Sequence, residues 1–172
     1  CYIIEPISYV EGDKSAYVIP YHGLRLSLNI EFLHPIIGRQ AFDMEVNEQT
    51  FIREIASART FGFLKDVDAL KAAGLAKGGS LENCIVLDDS QIINTEGLRY
   101  SDEFVRHKAL DALGDLVTLE MPLMGHVVLN KAGHDIMNKL INKIVSTPMA
   151  YRFVELGADV SQEIKKFANF HL

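Results

Sequence analysis

His107, Asp111 and Asp115 recur at every fourth position within Ser101–Leu119, which reads SDEFVRHKALDALGDLVTL. At about 100° per residue, this spacing stacks one imidazole and two carboxylates near one face of a helix. Phe104, Val105, Ala109, Leu110, Ala112, Leu113, Leu116 and Val117 fill much of the remaining surface. Burying such a polar row without a partner is costly, and a metal ion would supply the partner. An imidazole and a carboxylate one turn apart, His107-x3-Asp111, is a usual way to present two ligands to zinc, and a catalytic zinc takes three protein ligands and leaves one position for water. Asp115 lies about 12 Å along the axis from His107, too far to share that ion. Its expected role is to orient and charge a nearby histidine.

His134 is the candidate for that histidine. It follows Gly133 at a predicted helix start, where a loop can deliver it to the end of a sheet. A protonated histidine beside an aspartate is a natural general acid. Lys108 could hold an anionic substrate group or help to stabilise an oxyanion. Zinc brings the pKa of a bound water to about 7 and polarises a carbonyl, so the set suits hydrolysis of an amide, with His134 donating to the leaving amine. Each residue also has a plainer reading. H-x3-D arises on helices by chance, and a histidine at a helix start is commonly a surface group. His22, His34, His126 and His171 lack partner patterns and are read as structural.

The elements that must position these groups are legible in the flanking sequence. Tyr2–Tyr9, Ser15–Pro20, Arg25–Phe32 and Phe42–Val46 are strand candidates, separated by turns at Glu11-Gly12-Asp13 and His22-Gly23, and they suggest an antiparallel meander. Lys14 sits in the first turn, where a solvated lysine is the plain reading. Asn47 is expected to cap a helix over Glu48–Ala58 with Phe51, Ile52, Ile55 and Ala56 on its inner face. Residues 59–89 read as a βαβ insert, with Asp66 capping a short helix at Val67–Ala73 and Asn83–Asp88 as a buried strand. Phe61, Val67, Ala76, Ser80, Cys84 and Val86 are small or apolar groups there that could line a groove, or simply pack. Gly78-Gly79 is a weak phosphate loop because no helix start follows it. Gln91–Asn94 reads as the completion of a hairpin. Ser101 is expected to cap the central helix, with Asp102 and Glu103 in its electropositive first turn. His126–Leu129 reads as a strand, and a last strong helix runs from the Lys131–His134 segment to Val145, with Pro148 beyond it. The tail from Tyr151 to Leu172 is ambiguous, with Gln162–Phe170 a short helix or a frayed end.

The chain has 172 residues and is 48% hydrophobic, enough for one domain with a real core or for half of a larger enzyme. Its formal charge is −6 with no basic run, which argues against a nucleic-acid partner. Cys1 and Cys84 form no CxxC pair, as expected of a reducing compartment rather than a disulfide framework. No apolar run reaches the roughly 18 residues of a membrane span. The start at Cys1, directly into strand-like sequence, suggests that residues are missing upstream.

Three stretches together resemble one family. EFVRHKALDALGD (Glu103–Asp115), RTFGFLKDVDALKAAGLAKGGSLENCIVLDD (Arg59–Asp89) and KAGH (Lys131–His134) are similar to the C-terminal half of UDP-3-O-acyl-N-acetylglucosamine deacetylases, zinc enzymes of lipid A biosynthesis in Gram-negative bacteria. The resemblance runs from about Cys1 to Val145. It implies that His107 and Asp111 are two of three zinc ligands and that Lys108 lies at the substrate site. It also implies that Asp115 and His134 form the charged pair of the general acid. Lys14 would lie near the nucleotide diphosphate, and Thr60 and Phe61 beside the active site. Phe61, Val67, Ala76, Ser80, Cys84 and Val86 would fall on the insert forming the acyl-chain passage. The family's third zinc histidine and general-base glutamate belong to an N-terminal domain, and nothing here matches them. Glu120 stands where members often have glycine.

The expectation is therefore an α+β domain: a two-layer sandwich of a mostly antiparallel sheet and two main helices, with a βαβ insert, over residues 1–150, and a tail over 151–172. The implied function is removal of the N-acetyl group from UDP-3-O-(3-hydroxyacyl)-N-acetylglucosamine with Zn2+ as cofactor, in the cytoplasm or peripheral to the inner membrane. This piece alone would be inactive without the N-terminal domain. The alternative is a non-catalytic module binding a nucleotide-sugar lipid or a protein surface. A third idea is that faces deprived of the other domain dimerise.

Overall fold

In the computed structural model, which describes residues 1–66, 80 and 82–155, the chain is the expected two-layer α+β sandwich. Its strands are β1 (Tyr2–Ile3), β2 (Ile7–Glu11), β3 (Lys14–Ile19), β4 (Leu24–Glu31), β5 (Arg39–Glu45), β6 (Thr60–Phe63), β7 (Cys84–Leu87), β8 (Gly125–Asn130) and β9 (Tyr151–Arg152). Two helices, α1 (Glu103–Leu116) and α2 (His134–Val145), cover one face of a five-stranded sheet. The layers follow from the alternation of side chains. Leu26, Leu28 and Ile30 of β4, Val127 and Leu129 of β8, and Ala16 and Val18 of β3 point inward. They meet Phe104, Val105, Ala109 and Ala112 of α1 and Ile136, Met137, Leu140 and Ile144 of α2 in one core.

The sheet order is β2-β3-β8-β4-β5, which corrects the expected meander. β8 lies between β3 and β4, antiparallel to the first and parallel to the second. The short link at His22-Gly23 suggested a hairpin, but local turn chemistry carries no information about a strand arriving a hundred residues later. The predicted strand Tyr2–Tyr9 is likewise two strands. Pro6 has no N–H to give a ladder, and the Ile4 and Glu5 N–H groups turn aside to the Ala150 carbonyl at 2.9 and 3.2 Å. β1 then pairs with β9, drawing Tyr151 and Arg152 of the tail into the fold.

Asn47 does cap the next segment, exchanging hydrogen bonds with Thr50. The predicted helix to Ala58 is shorter and wider, with α-type winding at Glu48–Thr50 passing into a π-turn at Phe51–Ile55. One additional residue per turn changes the inward face. Ile52, expected inside, is 62% exposed, while Ile55 and Ala58 are buried. β6 and β7 pair in parallel, as a βαβ unit requires, and Ile92 bridges back to Leu87 as the hairpin reading expected. The predicted helix Val67–Ala73, Gly78-Gly79 and the Gln162–Phe170 segment with His171 lie outside the described residues. At α1 the cap position is taken by Asp102 and not Ser101, and the Asp102 side chain makes no capping hydrogen bond, accepting instead from Arg106 Nε. Glu120, expected to stand in place of a glycine, adopts φ 56°, the left-handed region that glycine enters most freely.

Candidate active site

α1 carries the row, and the turn after β8 completes it. Lys131, at φ 49°, reverses the chain into α2 with its ammonium held by Asp13, at 3.1 Å, and by Glu31. Gly133 then occupies the N-cap and His134 the first helical position. The His134 ring meets Asp115 through Nδ1, which lies 2.9 Å from each carboxylate oxygen. Its Nε2 lies 3.8 Å from Asp111 Oδ2. His107 Nε2 is 3.2 Å from Asp111 Oδ1, and Lys108 Nζ donates to Asp111 Oδ2 at 2.6 Å. Asp111 thus stands between the two histidines, one oxygen facing His107 and the other taken by Lys108. His107, Lys108, Asp111 and Asp115 are half-buried, while His134 is 61% exposed.

The donor set can be tested for a cation. His107 Nδ1 lies 3.3 Å from the Ala58 carbonyl, to which it can only donate. In the neutral ring this leaves Nε2 as a lone pair opposite a carboxylate oxygen, so two acceptors face each other. Tetrahedral zinc with ligands at about 2.1 Å separates ligand atoms by about 3.4 Å, close to the gap seen here. His107 and Asp111 therefore fit two corners of such a site. Among the described residues no group of three or more His, Cys, Asp or Glu side chains gathers to hold a metal.

The remaining predicted positions are distributed unevenly. Lys14 opens β3 beside Asp13, whose carbonyl and carboxylate are bound by Asn130 and Lys131. Lys14 thus shares the sheet end from which His134 emerges. Phe61 packs edge-on against Phe104 at 5.1 Å and lies 6.3 Å from the His107 ring. Strand alternation puts Thr60, Cys84 and Val86 on the opposite side of the β6–β7 ribbon from Phe61, Ile85 and Leu87. The predicted groove residues are therefore split between two faces. Burial pushes the Cys84 thiol pKa up, so it is no ready nucleophile. Ser80 is exposed in the turn before β7, and Val67 and Ala76 lie outside the described residues. His22 stacks on Tyr2, His34 reaches the Asp88 carbonyl at 2.7 Å, and His126 meets Ser27 at 2.6 Å, each in a structural setting.

Sequence reasoning missed Glu103 and Arg59. Glu103, expected only to suit the electropositive first turn, is fully buried and paired with the buried Arg59 at 2.9 Å. Burial opposes the carboxylate charge, but Arg59 and the backbone N–H groups of Arg59 and Arg99 outweigh it, and the pKa is lowered. An arginine directly preceding the Thr60-Phe61 pair was the one available signal.

A two-layer α+β domain here gathers two histidines, two aspartates and a lysine in one cluster, a set of groups able to exchange protons or bind a cation. Comparison with known proteins is narrower. The family model for UDP-3-O-acyl N-acetylglycosamine deacetylase matches residues 1–146. The chain is 66% identical over 170 residues, 99% of its length, to the UDP-3-O-acyl-N-acetylglucosamine deacetylase of Bdellovibrio bacteriovorus, covering 56% of that protein. It is 49% identical to the Myxococcus xanthus enzyme, over 88% of this chain and 48% of the relative. With the Lawsonia intracellularis enzyme it shares 48% identity, over 83% of this chain and 46% of the relative. The chain belongs to the UDP-3-O-acyl-N-acetylglucosamine deacetylase family, and it spans about half the length of the curated relatives it matches.

Proposed function

We propose that this chain is the C-terminal half of a zinc-dependent deacetylase acting on the N-acetyl group of UDP-3-O-(3-hydroxyacyl)-N-acetylglucosamine in lipid A biosynthesis. The observation that carries the reading is the row itself, with Asp111 between His107 and His134, and His134 bound to both oxygens of Asp115. His107 and Asp111 would hold zinc, which when bound polarises a carbonyl and makes water nucleophilic near neutral pH. Lys108 neutralises the second Asp111 oxygen, which keeps the first turned toward His107. Asp115 fixes Nδ1–H of His134, so that Nε2 carries the proton delivered to the departing amine. Lys14 would meet the diphosphate. Thr60 and Phe61 would border the reacting centre, and Val67, Ala76, Ser80, Cys84 and Val86 would belong to the insert that receives the acyl chain. Each buried methylene there would contribute about 0.8 kcal/mol.

A third metal ligand and a general base would come from the N-terminal half of the enzyme, so the chain by itself would be inactive. A nucleotide-sugar substrate would put the reaction in the cytoplasm or at the inner-membrane surface. No helix among the described residues is long and apolar enough to cross a membrane. The test is complementation: the chain mixed with a separately produced N-terminal half should release acetate, and with Asp111→Ala it should not. Full activity of the chain alone would overturn the proposal.

A further inference from the structure

One peptide group is gripped at both ends by one helix. The Ala58–Arg59 peptide gives its N–H to Glu103 Oε1 at 2.9 Å and its carbonyl to His107 Nδ1 at 3.3 Å. Glu103 and His107 are four residues apart, one turn of α1, so the helix places both groups over the same peptide plane. The grip is rigid. Glu103 is 0% exposed and accepts four hydrogen bonds: the Arg59 N–H, Arg59 Nε at 2.9 Å, Arg59 Nη2 at 3.1 Å and the Arg99 N–H at 2.6 Å. The Arg59 guanidinium is anchored further by Glu96 at 2.8 Å and by the Gly97 carbonyl at 2.7 Å.

We infer that Glu103 is a positioning residue that acts through the Ala58–Arg59 peptide on His107, holding the imidazole as its Nδ1–H tautomer with Nε2 free toward Asp111. A carboxylate bound to a peptide N–H polarises the peptide and makes its carbonyl a stronger acceptor. That carbonyl can accept only from a protonated Nδ1, so the opposite nitrogen of the neutral ring is left with its lone pair outward. Outer partners of this kind set the tautomer and basicity of metal-binding histidines and are worth about 10–100-fold in metal affinity. The consequence for metal affinity rests on the zinc reading above, whereas the tautomer does not.

The experiment reads the imidazole directly, by long-range proton–nitrogen NMR on the full, metal-free chain. Wild type should show His107 as the Nδ1–H tautomer, and finding Nε2–H would overturn the inference without any variant. Two double variants then separate peptide grip from ion pair. Arg59→Met with Glu103→Met replaces the buried pair by apolar groups of similar volume, a change that such sites often tolerate. It leaves the residue 59 N–H without an acceptor and should move His107 toward Nε2–H. Arg59→Met with Glu103→Gln lacks the ion pair equally but restores an oxygen opposite that N–H, and should recover the Nδ1–H tautomer. Indistinguishable His107 spectra in the two variants would mean that Glu103 serves packing alone. Zinc added to the same samples should bind at least about tenfold more weakly to the first variant than to the second. An intact tautomer pattern with no zinc response at His107 in wild type, even after the separately produced N-terminal half is added, would sink the zinc reading and leave the positioning role standing.

Discussion

On the outer face of the sheet Ser27 stands between His126 and Asp43, and on α1 Asp111 stands between His107 and His134. The residue types are nearly the same and the arrangements differ. Outside, donors meet acceptors: Ser27 donates to Asp43, His126 Nε2 lies 2.6 Å from the Ser27 hydroxyl, and Arg25 gives Asp43 two bonds at 3.2 and 2.7 Å. That cluster also has the wrong order for nucleophilic catalysis, because its carboxylate holds the serine instead of orienting the histidine. On α1 a carboxylate oxygen faces an imidazole nitrogen whose partner nitrogen already donates elsewhere. A closed hydrogen-bond circuit stabilises a sheet face, and an open one leaves room for an ion or a proton.

The largest effect that would test this contrast is on activity. In the enzyme reconstituted with its N-terminal half, Asp111→Ala should lower kcat by at least about 10³-fold, the equivalent of losing several kcal/mol of charge stabilisation. Asp43→Ala should leave kcat within about twofold, and a comparable loss from both would erase the distinction. His134→Ala should reduce kcat by about 10²-fold, as expected when a general acid is removed, with His126→Gln as the matched control. Stability should follow the opposite order. In urea unfolding of the metal-free chain, Asp43→Ala should cost about 1 kcal/mol through lost hydrogen bonds, and Asp111→Ala should stay within about 0.5 kcal/mol of wild type.

The smallest effect concerns pH. Burial, reinforced by Arg25, lowers the pKa of His126 in the fold, although Asp43 acts in the opposite sense. The unfolded chain therefore binds more protons than the folded one just below the ordinary histidine pKa, and stability falls as pH falls through that window. Between about pH 7.5 and about pH 5.5 the urea midpoint of wild type should drop more than that of His126→Gln. Equal drops would show that His126 titrates no differently in the folded and unfolded chains.

The parts of this molecule visible in its sequence are those with short-range period. The i, i+4, i+8 row of α1, the apolar stripe of α2 and the alternation of Leu26, Leu28 and Ile30 are local patterns, and each element formed where its pattern lies. Pairing is not local. Nothing around His126 signals that β8 enters between β3 and β4, and nothing around Glu103 signals that Arg59 will bury it. The π-turn at Phe51–Ile55 shows the same limit at shorter range, because a one-residue change in winding exposed Ile52 while the hydrophobic count stayed the same. At the candidate site, His107, Asp111 and Asp115 could be placed on one face from spacing alone. Bringing His134 to them needed the left-handed turn at Lys131, a conformation that a lysine does not advertise.

The position of β8 also has a temporal meaning. β2–β3 and β4–β5 are local hairpins that can form as soon as they leave the ribosome, but they share no direct ladder with each other. The strand that joins them is made only after the whole of α1, so two half-sheets with open edges must wait while the about 80 residues between β5 and β8 are made. Long-range closure of this kind slows folding and leaves strand edges exposed to other chains. The turn that places His134 follows β8 directly, so the same late event that seals the sheet also assembles the row.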